Sequence, residues 1–199
     1  MQNPLNALLD SLLNLARKSG ADDAKIIAPE TITIEDEIID LCRTPFCPGY
    51  GQSAHCPPHA LKPAAVRKII EKSRTAVIFK RNVDPQILLS DKKDLEFRKI
   101  YEIAADLETY ARENGYREST GFAAGSCLPV FCKNKACRVI AADQPCRFPA
   151  LARPSMEAVG INVFKMVKAA GWEIQRITRD SDPDGIPGGV LAGLVLIGE

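Results

Sequence analysis

The stretch PAAVRKIIEKSRTAVIFK, residues 63–80, sets two patterns back to back. Pro63 suits the first position of a helix, and Val66, Ile69 and Ile70 recur behind it at helical spacing. Thr75 to Lys80 then reads as a buried strand. The same succession recurs on both sides. Residues 4–19 predict an amphipathic helix, with Asn3 as cap, Pro4 at the first position, Gly20 at the end, and Leu5, Leu8, Leu9, Leu12, Leu13 and Ala16 as its apolar stripe. Two β-rich runs follow at 24–28 and 31–39. Downstream, Asp84-Pro85 caps a long helical region that breaks near Ser90 and reaches Asn114. One face of it carries Phe97, Ile100, Tyr101, Ala104, Leu107 and Ala111, and Gly115 stops it. Short helices at 155–159 and 163–170, closed by Gly160 and Gly171, and strands at 172–178 and 190–197 finish the pattern. Helices alternating with strands predict a layered α/β or α+β chain. We expect a single domain over residues 1–199, with a mixed sheet flanked by helices and two cysteine-rich loops at 42–59 and 121–154.

Composition narrows the function by exclusion. Lys and Arg number 26 against 25 Asp and Glu, so no global field draws the chain to nucleic acid or an anionic membrane. No apolar run reaches the ~18 residues of a membrane span, and the N-terminus lacks the basic start and cleavage site of a signal peptide. The expectation is a cytoplasmic protein, where thiols stay reduced and clustered cysteines point to metal or redox chemistry.

The seven cysteines fall into two groups, Cys42, Cys47 and Cys56, then Cys127, Cys132, Cys137 and Cys146. The later group is spaced C-x4-C-x4-C-x8-C. Four thiolates are the ligand set of a tetrahedral zinc or of an iron-sulfur cluster. Structural zinc favours paired knuckles with two to four residues between ligands. The chain has no pair of C-x2-C turns, and longer intervals suit a wider 4Fe-4S cluster. Pro149, shortly after Cys146, matches the proline that turns the chain away from a ferredoxin cluster. The earlier group offers three thiols, which leaves one iron of a second cluster for another ligand. Both histidines of the chain, His55 and His59, flank Cys56, as a ligand, a proton donor or structural residues.

Other features carry less. Asp180, Asp182, Asp184 and Gly185 match the first half of a calcium loop, but Leu191 stands where a bidentate Glu is needed, so an acidic turn is the expectation. The C-terminal glycines make no nucleotide-binding pattern. Gly121 and Gly125 are expected to bring backbone amides close to the later group's sulfurs. Arg43, Arg138, Arg147 and Arg153 lie beside cysteines, where they either balance an anionic cluster or, for Arg147 and Arg153, pair with Glu157.

At Cys42-Arg-Thr-Pro-Phe-Cys47-Pro-Gly-Tyr50-Gly51, His55-Cys56-Pro57-Pro58-His59, Cys146-Arg147-Phe148-Pro149 and Arg153-Pro154-Ser155-Met156-Glu157-Ala158-Val159-Gly160-Ile161, the chain resembles a bacterial and archaeal family of predicted metal-binding proteins, a domain of unknown function. The resemblance covers nearly the whole chain and implies metal held by cysteine as iron-sulfur clusters. It supplies no reaction.

Two functions follow as expectations. One is a 4Fe-4S protein with one or two clusters and a redox, electron-transfer or open-iron catalytic role, acting with a redox partner protein or on a small-molecule substrate as an enzyme or an accessory protein. The alternative is a non-enzymatic binding module whose loops are held by zinc or a cluster.

Overall fold

The computed structural model describes residues 4–44, 47–133, 135–178 and 180–199. Helix α1 spans Pro4–Lys18 and buries Leu8, Leu9, Leu12 and Ala16; its expected cap, Asn3, lies outside the described residues. Strand β1 is Asp23–Ile27. The expected β-run at 31–39 is not a strand. A 3-10 turn over Pro29–Thr31 and a lone bridge between Ile34 and Ile161 lead instead into α2, Asp36–Arg43. Asp36 and Glu37 favour a helix start through its dipole, and Ile38, Leu41 and Cys42 share a helical face that alternation alone conceals.

Helix α3, Pro63–Lys72, runs directly into β2, Ser73–Val83. The long helical region appears as α4, Pro85–Leu88, and α5, Lys93–Glu113, broken where expected. Asp84 caps α4 by accepting the Gln86 amide at 2.8 Å. Then come β3, Thr120–Phe122, a π-helical turn over Leu128–Cys132, α6, Arg138–Ala142, a 3-10 turn at Glu157–Val159, α7, Val163–Ala169, and β4, Gly189–Gly198. No helix among the described residues is long and apolar enough to cross a membrane.

The arrangement is α+β. The sheet has the order β1-β2-β4-β3, and its three ladders are antiparallel where a mixed sheet was expected. Among the described residues the one parallel pairing is the isolated bridge between Ala123 and Ser155. Coverage of both faces explains the misleading apolar runs. Val77, Phe79, Val195 and Ile197 pack towards α1 and α5, while Ala76, Ile78, Leu194 and Leu196 pack towards α3 and α7. A strand buried on both faces reads as continuous apolar sequence whichever way its neighbour runs.

The expected strand at 172–178 is irregular chain. Trp172 donates to Asp23 at 2.9 Å and lies under Lys25 and Lys80, which pins the segment's start to β1. The segment has no ladder partner.

At the centre of the sheet, Phe79 stands directly opposite Gly193, and a Cβ on Gly193 would clash with the Cζ end of the Phe79 ring. Gly193→Val should therefore destabilise the fold by about 1–3 kcal/mol through overpacking. Phe79→Ala should cost about 3–5 kcal/mol through the cavity it leaves. Urea unfolding of both single variants and the double variant checks the pair. The double variant should lose less than the sum, and additive losses would show that the two positions do not share one packing site.

Candidate metal centre

The cysteines come from two loops. The first begins at the end of α2 with Cys42 and continues through Cys47 and Cys56; Pro45 and Phe46 lie outside the described residues. Its backbone closes on itself in tight turns. The Cys47 amide donates to the Cys42 carbonyl at 3.0 Å, Tyr50 to Cys47 at 2.9 Å, Gly51 to Pro57 at 2.7 Å and Cys56 to Ser53 at 3.0 Å. The second loop leaves β3. Cys127 and Cys132 bound the π-helical turn and Cys137 opens α6. An aromatic column seats this loop on the core. The Tyr101 ring meets Phe131 edge-on at 5.2 Å, and Phe131 stacks on Phe148 at 5.4 Å.

Two serine-cysteine pairs interlock the loops. The Cys56 thiol donates to Ser126 Oγ at 3.3 Å, and Ser53 Oγ lies 3.2 Å from Cys127 Sγ. Each serine therefore meets the other loop's cysteine. Gly49 allows the approach, since a Cβ there would stand 3.0 Å from Ser126 Cβ and 3.4 Å from the Cys56 sulfur. The expected role of Gly121 and Gly125 differs from what they do. Gly121 gives its amide to Glu108 Oε2 at 2.7 Å, and Gly125 lies against the Phe97 ring while its carbonyl accepts the Tyr101 hydroxyl at 2.8 Å.

Charge effects among the thiols map their neighbourhood. Burial pushes Cys127 up to about 12, against the pull of Ser53, with Cys56, Cys146 and Cys132 adding to it. Burial likewise takes Cys42 to about 11, helped by Cys47, Glu157 and Cys56. Cys56 is raised by burial against Ser126 and Ser53, and it also feels Cys47 and Cys137. Cys137 is the exception. Burial is outweighed there by the amide dipoles of Ala54, Ile140 and Val139 and by Arg147, so its thiol is lowered. All seven thiols thus belong to one connected region, and all are free. Among the described residues, no three His, Cys, Asp or Glu side chains stand as a ready-made single-ion site.

The cations differ in their tasks. Arg43 pairs with exposed Asp40 at 2.8 Å. Arg153 does not pair with Glu157. Its guanidinium forks onto Glu108, Nε at 2.8 Å and Nη2 at 3.4 Å, because Glu108 is almost fully buried under the start of this loop and needs a partner. Arg147 donates to the Ala136 carbonyl at 2.8 Å and brings the same nitrogen within 3.8 Å of Cys132 Sγ. Arg138, next to Cys137, has a buried Nε with no hydrogen-bond partner. A buried donor left unpaired costs free energy. An anionic, thiolate-held group beside Cys137 fits this cationic side.

Cys42, Cys47 and Cys56 line a cleft of about 870 Å³ together with Glu157. Burial raises the Glu157 carboxyl, against its own amide and the Ser155 hydroxyl, although part of the residue remains accessible. Neither histidine lines this cleft. His59 is exposed, and His55 is half-buried with its pKa lowered by burial and then by Arg153. The aspartates at 182 and 184 form a capped turn, Asp182 accepting the Asp184 amide at 3.1 Å. Sequence reasoning missed Ser53, Ser126 and Glu108. Serine directly before Cys127 and three residues before Cys56 was the available signal for two of them; a glutamate inside a helical stripe gave none.

A family model described as "Predicted metal-binding protein (DUF2284)" matches residues 25–197. No curated protein and no solved structure matches the chain.

Removing the fork on Glu108 should be costly, since the carboxylate would keep only the partly exposed Arg112 and the Gly121 amide. Arg153→Met is expected to lose about 3 kcal/mol in urea unfolding, and Arg153→Lys should recover little because it cannot reproduce two parallel bonds. A loss below about 1 kcal/mol would place this pair among ordinary surface ion pairs.

Proposed function

Because the chain belongs to the family of predicted metal-binding proteins, we propose that it is an iron-sulfur protein with a redox or catalytic role. In this reading Cys127, Cys132, Cys137 and Cys146 hold a 4Fe-4S cluster, and Cys42, Cys47 and Cys56 hold a second with one iron left for another ligand. The observation that carries it is the gathering of seven free thiols from two loops into one region. The long cysteine intervals and the cations at Arg138 and Arg147 favour iron-sulfur over zinc.

When bound, such clusters supply one-electron transfer, and an iron without a protein ligand supplies a Lewis-acidic position. The chain's own groups set the conditions. Arg147 and Arg138 lower the cost of added negative charge at the four-cysteine group, which raises its potential. Ser53 and Ser126 offer hydroxyls to Cys127 and Cys56, and hydrogen bonds to ligating sulfur tune a centre in the same direction. The shared serines place Cys56 of one group beside Cys127 of the other, a short route for an electron. Glu157 is the carboxyl on the wall of the cleft that the three cysteines line, so a proton held on its Oε atoms would be available there.

Anaerobic purification followed by iron, sulfide and zinc counts per chain tests the reading. Two clusters should give equal, high iron and sulfide; zinc alone would favour the binding-module alternative. Cys146→Ala should remove about half the iron, because losing one thiolate ligand frees or converts a cluster. Full iron with an unchanged visible spectrum would remove Cys146 from the ligand set.

The three-cysteine site should take an added ligand while the four-cysteine site does not. Cyanide or a small thiol is expected to change one paramagnetic signal and leave the other. His59→Ala should leave the iron count intact, consistent with an exposed side chain. Loss of the cluster in that variant would make His59 a ligand and the site one for electron transfer only.

A further inference from the structure

β3 is three residues long and β4 is ten, and their ladder ends at Phe122 opposite Leu194. Beyond that point the chain turns away through Ala124, Gly125 and Ser126, and the edge of β4 over Val190 to Ala192 becomes the floor of the 870 Å³ cleft. That volume lies in the range of small-molecule sites, roughly 300–1,000 Å³. The walls are mainly apolar. Leu88 and Phe97 contribute from α4 and α5, and Ile174 and Ile177 from the unpaired segment.

The two ends differ in charge. At one end are Cys42, Cys47, Cys56 and Glu157; Glu157 is near enough to Cys42 to raise its pKa. Phe97 marks this end too, because its ring rests on Gly125, next to the serine bonded to Cys56. Lys93 lies one turn of α5 earlier, about 6 Å back along the axis. The other end is where Leu88 and Ile177 meet over Gly189, with Arg176 adjoining. Lys93 and Arg176 make no ion pair or side-chain hydrogen bond among the described residues, whereas Arg81 and Arg153 are each held by a glutamate. Lys93 lines the same trough as Arg176 and follows Leu88 through the short turn at Ser90, so two unpaired cations border the Leu88 end of an apolar trough and offer an anion site with a body-shaped extension.

We propose that this cleft binds a small organic anion with an apolar body, its carboxylate or phosphate on Lys93 and Arg176 and its other end towards Cys42, Cys47 and Cys56. The purpose of that binding rests on the three-cysteine loop being a reactive metal site; the binding itself does not. The ligand class follows from the lining, since an uncharged apolar compound leaves both cations unanswered and a short anion leaves the walls wet.

Calorimetric titration of the full chain with octanoate and octyl phosphate, beside octanol and acetate, tests this, with iron and zinc counted in the same samples. Both long anions should bind, and octanol and acetate should bind at least ~10-fold more weakly. The double variant Lys93→Ala, Arg176→Ala should weaken the anions by ~10-fold or more, keep the octanol affinity, and keep its urea midpoint. The tighter of the two anions names the head group. Anions that bind no better than octanol, or equally well to the double variant, overturn the proposal. A preparation that takes up neither iron with sulfide nor zinc under anaerobic reconstitution, yet still binds octanoate, upholds the cleft and removes the metal reading. A metal-loaded preparation that binds neither anion does the reverse.

Discussion

The antiparallel ladder between β2 and β4 is the constraint on which everything else is hung. Both strands are buried on both faces, so their register decides at once which side chains meet α1 and α5 and which meet α3 and α7. Phe79 lies across Gly193 in that register, an interlock that a one-residue slip would destroy. Because β1 and β3 attach to the outer edges of this pair, the long connections must leave from its ends. The first cysteine loop lies in the connection from β1 to β2, and the second in the connection from β3 to β4. Two segments far apart in sequence are thereby delivered to the same neighbourhood.

What joins them there is polar and small. Cys56 with Ser126, and Ser53 with Cys127, form a reciprocal pair of contacts in the interior, and Gly49 removes the atom that would keep the loops apart. Burial of thiols among thiols is unfavourable for their ionised forms, which is why Cys42, Cys56 and Cys127 are all raised. A thiol must lose its proton to ligate a metal. The loops are thus assembled in a state that a cation would stabilise, with Arg138 and Arg147 already on the side where excess negative charge would gather.

Much of this was legible from residue patterns. The stripes of α1 and α5 are strongly periodic and their glycine stops fall where expected, and β2 and β4 show as apolar runs. Strand direction was not legible, because full burial erases the alternation that distinguishes a half-exposed antiparallel strand. Residues 31–39 and 172–178 failed for related reasons. Each has apolar residues at short spacing, but one belongs to a helix face and the other, tied to β1 only through the Trp172 side chain, forms no ladder. The cysteine groups declared a thiol-rich site, yet the contacts that join them run through two serines and a glycine, residue types too common to signal anything alone.

The inequality between β3 and β4 has a wider consequence. The core is carried by strands paired along their whole length, whereas the trough beside them is bounded in part by unpaired chain whose exposed side chains, Gln175, Arg176 and Thr178, stand outside that core. Side chains on those walls can therefore be exchanged at small cost to stability, while the sheet and the thiols stay as they are. The same scaffold is able to diversify what it accepts by altering Ile174 to Thr178 and the first turns of α4 and α5, which makes these short segments the place where related chains would be expected to diverge in specificity while agreeing in chemistry.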